Sequence, residues 1–184
     1  MNSYYNEELI KSIQSELLVL DNNVLSSLAS DKEYLQEFLK IFEKNNLLID
    51  PIVKIELLRG AFKVGAYEEL LKFLEFEKFD NMIDNIHLQE KMYSAAINIA
   101  RICSHHENPS IPLGDLLITA RLSIYHYNVL FLTRDKGDFG TLLFDRLGVV
   151  SIERKFKKKD GIDHINIFRF NHQKFTTCLK SLPK

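Results

Sequence analysis

Residues 17–25 read Leu-Leu-Val-Leu-Asp-Asn-Asn-Val-Leu, and the rest of the chain can be interpreted outward from them. The four leading apolar residues, bounded by polar ones, are typical of a short strand that is buried on both faces. Asp21 follows this strand directly, at the carboxyl edge where α/β sheets place their ligands. If further acidic residues converge on the same edge, the sequence predicts a site that holds a cation.

The composition indicates a globular chain without an overall basic character. A length of 184 residues with 46% hydrophobic content is enough for one substantial core, so we expect a single domain over residues 1–184. The net charge is −1, so any surface for nucleic acid must be local. The two cysteines form no metal-binding or disulfide pattern, which favours reduced thiols in a cytoplasmic protein. No apolar run approaches the ~18 residues of a membrane span, so we expect no membrane partner.

Hydrophobic spacing predicts strands that alternate with helices. Strands are expected at residues 17–20, 47–50, 128–133, 149–152 and 162–170, whereas residues 67–106 are predicted to be helical throughout. Further helices are expected at residues 141–147 and 172–182. This alternation predicts an α/β fold of three layers, in which a central, mostly parallel sheet has helices on both faces. Residues 1–16 are expected to form a helical leader, and residues 153–184 a C-terminal strand and helix extension.

Acidic residues follow the predicted strands or lie on the helices that come next: Asp21, Glu56, Asp115, Asp135 and Asp138. In a parallel sheet these positions share one edge. Two carboxylates ~4 Å apart repel each other by ~4 kcal/mol at an effective dielectric constant near 20, so a cluster requires protons or a cation. Oxygen ligands suit Mg²⁺ or Mn²⁺, which can activate water against a phosphodiester.

Each acid also has a purely structural interpretation. Asp21 and Asp115 could cap the helices that they precede or begin, and Glu56 could be a solvent-exposed helix residue. Asp135 and Asp138 could be turn residues. The prediction of a metal site therefore depends on the joint pattern and not on any one acid.

The contexts of these acids resemble the four motifs of PIN domains, the metal-dependent ribonuclease fold of VapC-type toxins. Residues 17–25 are similar to the first motif, with Asp21 as its acid and Asn23 as its asparagine. Ile-Asp-Pro-Ile-Val-Lys-Ile-Glu-Leu-Leu-Arg-Gly at residues 49–60 is similar to the second, and Gly-Asp-Leu-Leu-Ile-Thr-Ala at residues 114–120 to the third. Phe-Leu-Thr-Arg-Asp-Lys-Gly-Asp-Phe at residues 131–139 is similar to the fourth.

The resemblance covers residues 17–152 and implies a PIN-like fold that cleaves RNA with Mg²⁺ or Mn²⁺. It assigns Asp21, Asp115 and Asp135 as metal ligands, with Asp138 as the alternative to Asp135. Glu56 would orient or deprotonate a water molecule, or complete the coordination of the metal.

Two uncharged side chains complete the expected site. Asn23 and Thr133 would hydrogen-bond the ligands or metal-bound water.

The resemblance and the local charge also suggest partners. Arg134, beside the fourth motif, is the better candidate for a phosphate contact, and Lys155, Lys157 and Lys158 form a local basic run that could hold the RNA backbone or be a solvated hairpin tip. Many members of the family are toxins inhibited by a VapB-type antitoxin, often as homodimers, and both partners are expected here. A PIN-like nuclease of RNA processing or DNA repair without an antitoxin, and an inactive PIN-fold binding module, are the alternatives.

Overall fold

The computed structural model describes residues 2–106, 111–125, 128–135, 142–156 and 159–183. In these residues one sheet contains strands β1 Ser3–Tyr4, β2 Leu17–Leu20, β3 Asn46–Ile49, β4 Phe79–Asn81, β5 Val129–Thr133, β6 Phe144–Phe156 and β7 Lys159–Phe170. The helices are α1 Glu7–Ser12, α2 Asn22–Ser30, α3 Lys32–Ile41, α4 Pro51–Val64, α5 Tyr67–Leu74, α6 Ile86–His105, α7 Leu113–Ile124 and α8 His172–Ser181.

The sheet has a parallel half and an antiparallel half. Its order is β1-β6-β7-β5-β2-β3-β4, and the four strands β5, β2, β3 and β4 are mutually parallel. Strand β7 pairs antiparallel with β5, β6 with β7, and β1 with β6. The α/β fold with a central parallel region is therefore confirmed, and the C-terminal strands make the complete sheet mixed.

Strands β2 and β5 lie at the centre of the core. Leu18, Val19 and Leu20 are each at most 1% exposed, and all five residues of β5 are buried. Since successive side chains of a strand point to opposite faces, both faces of the sheet are covered at this point. This explains why the two strands appear in the sequence as continuous apolar runs and not as alternating ones.

Two sequence predictions of secondary structure were wrong. The stretch predicted to be helical throughout contains β4, whose three residues are too few to show an alternating pattern. The predicted helix at residues 141–147 is instead the start of β6 from Phe144 onward, while Thr141 lies outside the described residues. A register shift between Arg146 and Gly148 interrupts the two-residue period of β6, which removed the strand signal.

The chain ends were predicted in part. The leader contains the helix α1, but it also contributes β1, which pairs Ser3 with Ile152 of β6. The C-terminal strand and helix are present as β7 and α8. The assignment of the whole chain to a single domain stays a prediction. Within the described residues, none of the helices combines the length and apolar character that a membrane crossing requires.

A buried ion pair joins helices α4 and α7. Arg121 of α7 is 2% exposed, and its Nε lies 2.7 Å from Oδ2 of Asp50, while its Nη1 lies 3.3 Å from Oδ1 of Asp84. Asp50 also caps α4, because its Oδ1 accepts a hydrogen bond of 2.7 Å from the Ile52 N–H. Burial raises the pKa of Asp50, and the Arg121 charge opposes this shift. The pair thus fixes the start of α4 against α7.

Replacing Arg121 with Met should destabilise the protein strongly, because Asp50 would remain buried without its cationic partner. We expect the free energy of unfolding in urea to fall by about 3–5 kcal/mol. Lys11→Met, which removes an exposed ion pair to Glu7, should cost less than ~1 kcal/mol. Adding Asp50→Asn to Arg121→Met retains the cap and should recover most of the loss. If it recovers none, packing of the arginine and not its charge is responsible.

Candidate active site

Asp21 lies where β2 ends and α2 begins. Its backbone N–H donates to the Leu132 carbonyl of β5 at 2.9 Å, which continues the pairing of the two strands for one residue. Its side chain caps α2, with Oδ1 accepting the Asn22 N–H at 2.7 Å. The residue is only 7% exposed. The carboxylate is therefore held at the carboxyl edge of two adjacent parallel strands.

A second set of hydrogen bonds fixes the other oxygen of Asp21. Its Oδ2 accepts from Asn23 Nδ2 at 2.7 Å and from Thr133 Oγ1 at 2.5 Å. The Oδ1 of Asn23 in turn accepts the Arg134 backbone N–H at 2.9 Å. The structure thus brings Asn23 and Thr133 against Asp21, and a role for them at a metal stays a prediction.

Thr133 connects two of the predicted acids. While its hydroxyl donates to Asp21, the same oxygen accepts the Asp135 backbone N–H at 3.0 Å. It also accepts from Asn23 Nδ2 at 3.1 Å. One buried hydroxyl therefore holds the Asp21 carboxylate and the start of the Asp135 segment next to each other.

Two other acids, Glu56 and Asp135, act electrostatically on Asp21. Burial raises the pKa of Asp21, hydrogen bonds from Thr133 and Asn22 oppose the shift, and the charges of Glu56 and Asp135 raise the pKa further. A positive ion between these carboxylates would stabilise the ionised form of Asp21.

Glu56 and Asp115 come from the two helices that the Arg121 pair joins. Glu56, half-buried on α4, lies against Gly114 so closely that a Cβ built on this glycine would overlap Glu56 Oε1. Asp115 is the next residue in the first turn of α7 and is half-buried. Gly114 therefore provides the space in which the Glu56 carboxylate lies beside the start of α7.

The donor chemistry of these acids fits a hard divalent cation. Across the described ranges, no three His, Cys, Asp or Glu residues are placed so that they could hold a metal ion together. Ions such as Mg²⁺ are usually bound through one or two carboxylates, while water and substrate phosphates complete the coordination. Asp21, with Glu56 and Asp135 as its acidic neighbours, suits this mode of binding.

The predicted RNA-binding residues are described only in part. The guanidinium of Arg134 lies 2.7 Å from Asp163 Oδ1 and donates to Ser27 Oγ at 2.8 Å, with 35% of the side chain exposed. Arg154 of β6 also approaches Asp163, at 3.4 Å. Both terminal nitrogens of the Arg134 guanidinium are therefore engaged within the protein, and an RNA contact by this side chain stays a prediction.

Four other predicted residues cannot be placed. Asp138, Lys157 and Lys158, together with the side chain of Lys155, lie outside the part of the chain that the structure describes.

Sequence reasoning missed several buried polar residues around this edge. For Asp50 a signal existed, because an aspartate directly before Pro51 is typical of a helix N-terminus. Asn166 of β7 is 0% exposed, and its Nδ2 donates to the carbonyls of Thr133 and Asp135 at 3.3 and 3.1 Å. Its position between apolar residues of a strand is equally typical of a solvent-facing side chain, so the pattern could not identify it.

The raised pKa of Asp21 predicts how stability depends on pH. Folded Asp21 binds its proton more tightly than the unfolded chain does, so the contribution of Asp21 to stability is greatest below the ordinary pKa of ~3.9 and is lost as the pH rises through the raised value. Asp50 acts in the same direction. When thermal unfolding is measured between pH 4 and 8, the Tm of Asp21→Asn should fall less with rising pH than the Tm of the wild type does.

The same measurement tests the cation site. Mn²⁺ should raise the Tm of the wild type little at the acidic end and increasingly as Asp21 ionises, because the ion competes with the proton. It should raise the Tm of Asp21→Asn much less. An equal effect on both proteins at neutral pH would place the ion elsewhere.

Comparison with known proteins identifies the family. The family model of the PIN domain matches residues 18–142, which is more than half of the chain and includes the segments that carry Asp21, Glu56, Asp115 and Asp135. No curated protein and no solved structure matches the chain significantly. PIN domains are generally nucleases, and they generally use divalent metal ions. The chain therefore belongs to the PIN-domain family.

Proposed function

We propose that this PIN domain is an endoribonuclease that uses Mg²⁺ or Mn²⁺ to hydrolyse RNA phosphodiester bonds. The observation that carries the proposal is the Asp21 carboxylate, buried at the carboxyl edge of β2 with its pKa raised by burial and by the charges of Glu56 and Asp135. A divalent cation that binds there would stabilise the folded protein, because it would offset the repulsion between the desolvated carboxylate and the like charges around it.

Each acid has a specific part in the proposed mechanism. Oxygens of Asp21, Asp115 and Asp135 would hold the cation directly or through water molecules, with Asp138 as the alternative to Asp135. When bound, the ion supplies activation of a water molecule and stabilisation of charge on the leaving oxygen. Glu56 orients that water or accepts its proton.

The neighbouring uncharged residues maintain this arrangement. Asn23 and Thr133 keep Asp21 in a single orientation through their hydrogen bonds to Oδ2.

More specifically, we propose that the protein is the toxin of a type II toxin–antitoxin pair and acts in the cytoplasm. In this proposal a VapB-type antitoxin inhibits the protein, which forms a homodimer. The RNA backbone contacts Arg134 and the basic residues Lys155, Lys157 and Lys158. Induction of the chain in a bacterial host should arrest growth, and Asp21→Asn should relieve the arrest. Cleavage of RNA without growth arrest would favour a PIN nuclease of RNA processing that has no antitoxin.

Asp21→Asn and Asp115→Asn should each abolish RNA cleavage without unfolding the protein. We expect a loss of more than about 100-fold, since even residues that only support metal ligands cost 10–100-fold when removed. The assay uses a mixed pool of structured RNA with Mg²⁺, Mn²⁺ or EDTA. Asp31→Asn is the matched control, because Asp31 also caps a helix but lies at the start of α3. Wild-type cleavage that persists in EDTA would contradict the proposal.

Gly114→Ala should lower kcat with little effect on stability. The new Cβ would overlap Glu56 Oε1, and the flexible carboxylate end would have to move. Alanine is favoured over glycine in a helix by up to about 1 kcal/mol, which offsets the strain. The control is Gly60→Ala on α4, where a Cβ meets no atom within 4 Å. Gly60→Ala should leave cleavage unchanged, and an equal decrease of kcat in both variants would argue against a role for the Glu56 position.

A further inference from the structure

Strand β7 contributes a buried side chain to the candidate active site, although it lies beyond the residues 18–142 that match the family model. Asn166 is 0% exposed. Its Nδ2 donates to the carbonyl of Thr133 at 3.3 Å and to that of Asp135 at 3.1 Å. One amide therefore bridges two backbone carbonyls in the segment that carries the fourth acid.

The topology explains why this segment needs a donor. Strand β5 ends at Thr133, which lies opposite Asn166 in the antiparallel pairing with β7. Beyond this residue the chain leaves the sheet, so the Asp135 carbonyl lies past the last register pair of the two strands. Buried carbonyls require a partner, and the Asn166 side chain provides one.

Residues 133–135 are consequently held from both sides. On the β2 side, Thr133 Oγ1 contacts the Asp21 carboxylate and accepts the Asp135 N–H. On the β7 side, Asn166 holds the carbonyls of Thr133 and Asp135. The backbone of Asp135 is thus fixed at both its N–H and its carbonyl group, which limits where its carboxylate can lie relative to Asp21.

We propose that Asn166 is a positioning residue for the metal site, which sets the place of Asp135 beside Asp21. This inference rests on the proposed function. Asn166 acts through the backbone of residues 133–135 and makes no contact with substrate in this role. Since ligands of a metal must be held within a fraction of an ångström, releasing this segment should weaken both cation binding and the chemical step.

The chain contains a matched control for this contact. Asn45 is also buried, 6% exposed, and its Nδ2 also donates to two backbone carbonyls, those of Ile13 at 2.6 Å and Glu16 at 3.0 Å. It lies at the opposite edge of the sheet, because Glu16 directly precedes β2. Asn166→Leu and Asn45→Leu therefore remove the same kind of contact at the two edges.

The test measures Mn²⁺ binding and RNA cleavage in both variants. Electron paramagnetic resonance of free Mn²⁺ should show binding to Asn166→Leu weakened by about tenfold or more, with kcat reduced about 10–100-fold. The KM for RNA should change by less than about twofold, since the substrate contacts remain. Asn45→Leu should match the wild type in all three quantities, although both variants should unfold at lower temperature.

A double variant tests the route of the effect. If Asn166 acts through Asp135, adding Asn166→Leu to Asp135→Asn should lower kcat little further, whereas independent effects would multiply. Should Asn166→Leu not fold, Asn166→Ser, which retains one donor, should show an intermediate loss of Mn²⁺ affinity.

The outcomes separate this inference from the proposed function. Equal losses of Mn²⁺ affinity in the Asn166 and Asn45 variants, or none in either, would overturn the role of Asn166 while leaving the nuclease in place. A folded wild-type protein that neither binds Mn²⁺ nor cleaves RNA would refute the proposed function, and the role of Asn166 with it.

Discussion

The constraint on which the site depends is the burial of one carboxylate at the junction of two parallel strands. Ionised Asp21 loses most of its water, and two other acids add like charge to its surroundings. The fold compensates only in part, with backbone and side-chain hydrogen bonds to both oxygens. The balance leaves a site whose ionised state is costly in the metal-free protein and favourable once a divalent cation is present.

The scaffold keeps this costly arrangement in place through buried polar contacts away from Asp21 itself. The Arg121–Asp50 pair fixes α4 against α7, and thereby the helices that carry Glu56 and Asp115. Because Gly114 has no side chain, the Glu56 carboxylate on α4 can lie directly against the backbone at the start of α7. The acids are thus positioned by contacts that tolerate little displacement, because buried polar groups are costly to leave unpaired.

The sequence was informative where one element decides its own structure. Strands β2 and β5 were predictable because continuous apolar runs are characteristic of strands buried on both faces, and Asp21 was predictable because it follows one of them. The same reasoning failed for β4, which depends on pairing with β3, and for the start of β6, where the register shift removes the period. It also failed for Asn166 and Arg121, because the partners of a buried polar side chain are set by tertiary contacts.

The separation in sequence of the residues that meet at Asp21 has a consequence for synthesis. Asp21 contacts Thr133, 112 residues later, and the Thr133 carbonyl is held by Asn166, a further 33 residues along. Contacts between residues so far apart in sequence form late in folding, because closing the long loops between them costs conformational entropy. While the chain is being made, its amino-terminal part carries Asp21 without the strand that completes the site. The arrangement at this edge therefore requires the chain as far as Asn166, and a growing chain that has not reached this residue has no assembled site around Asp21.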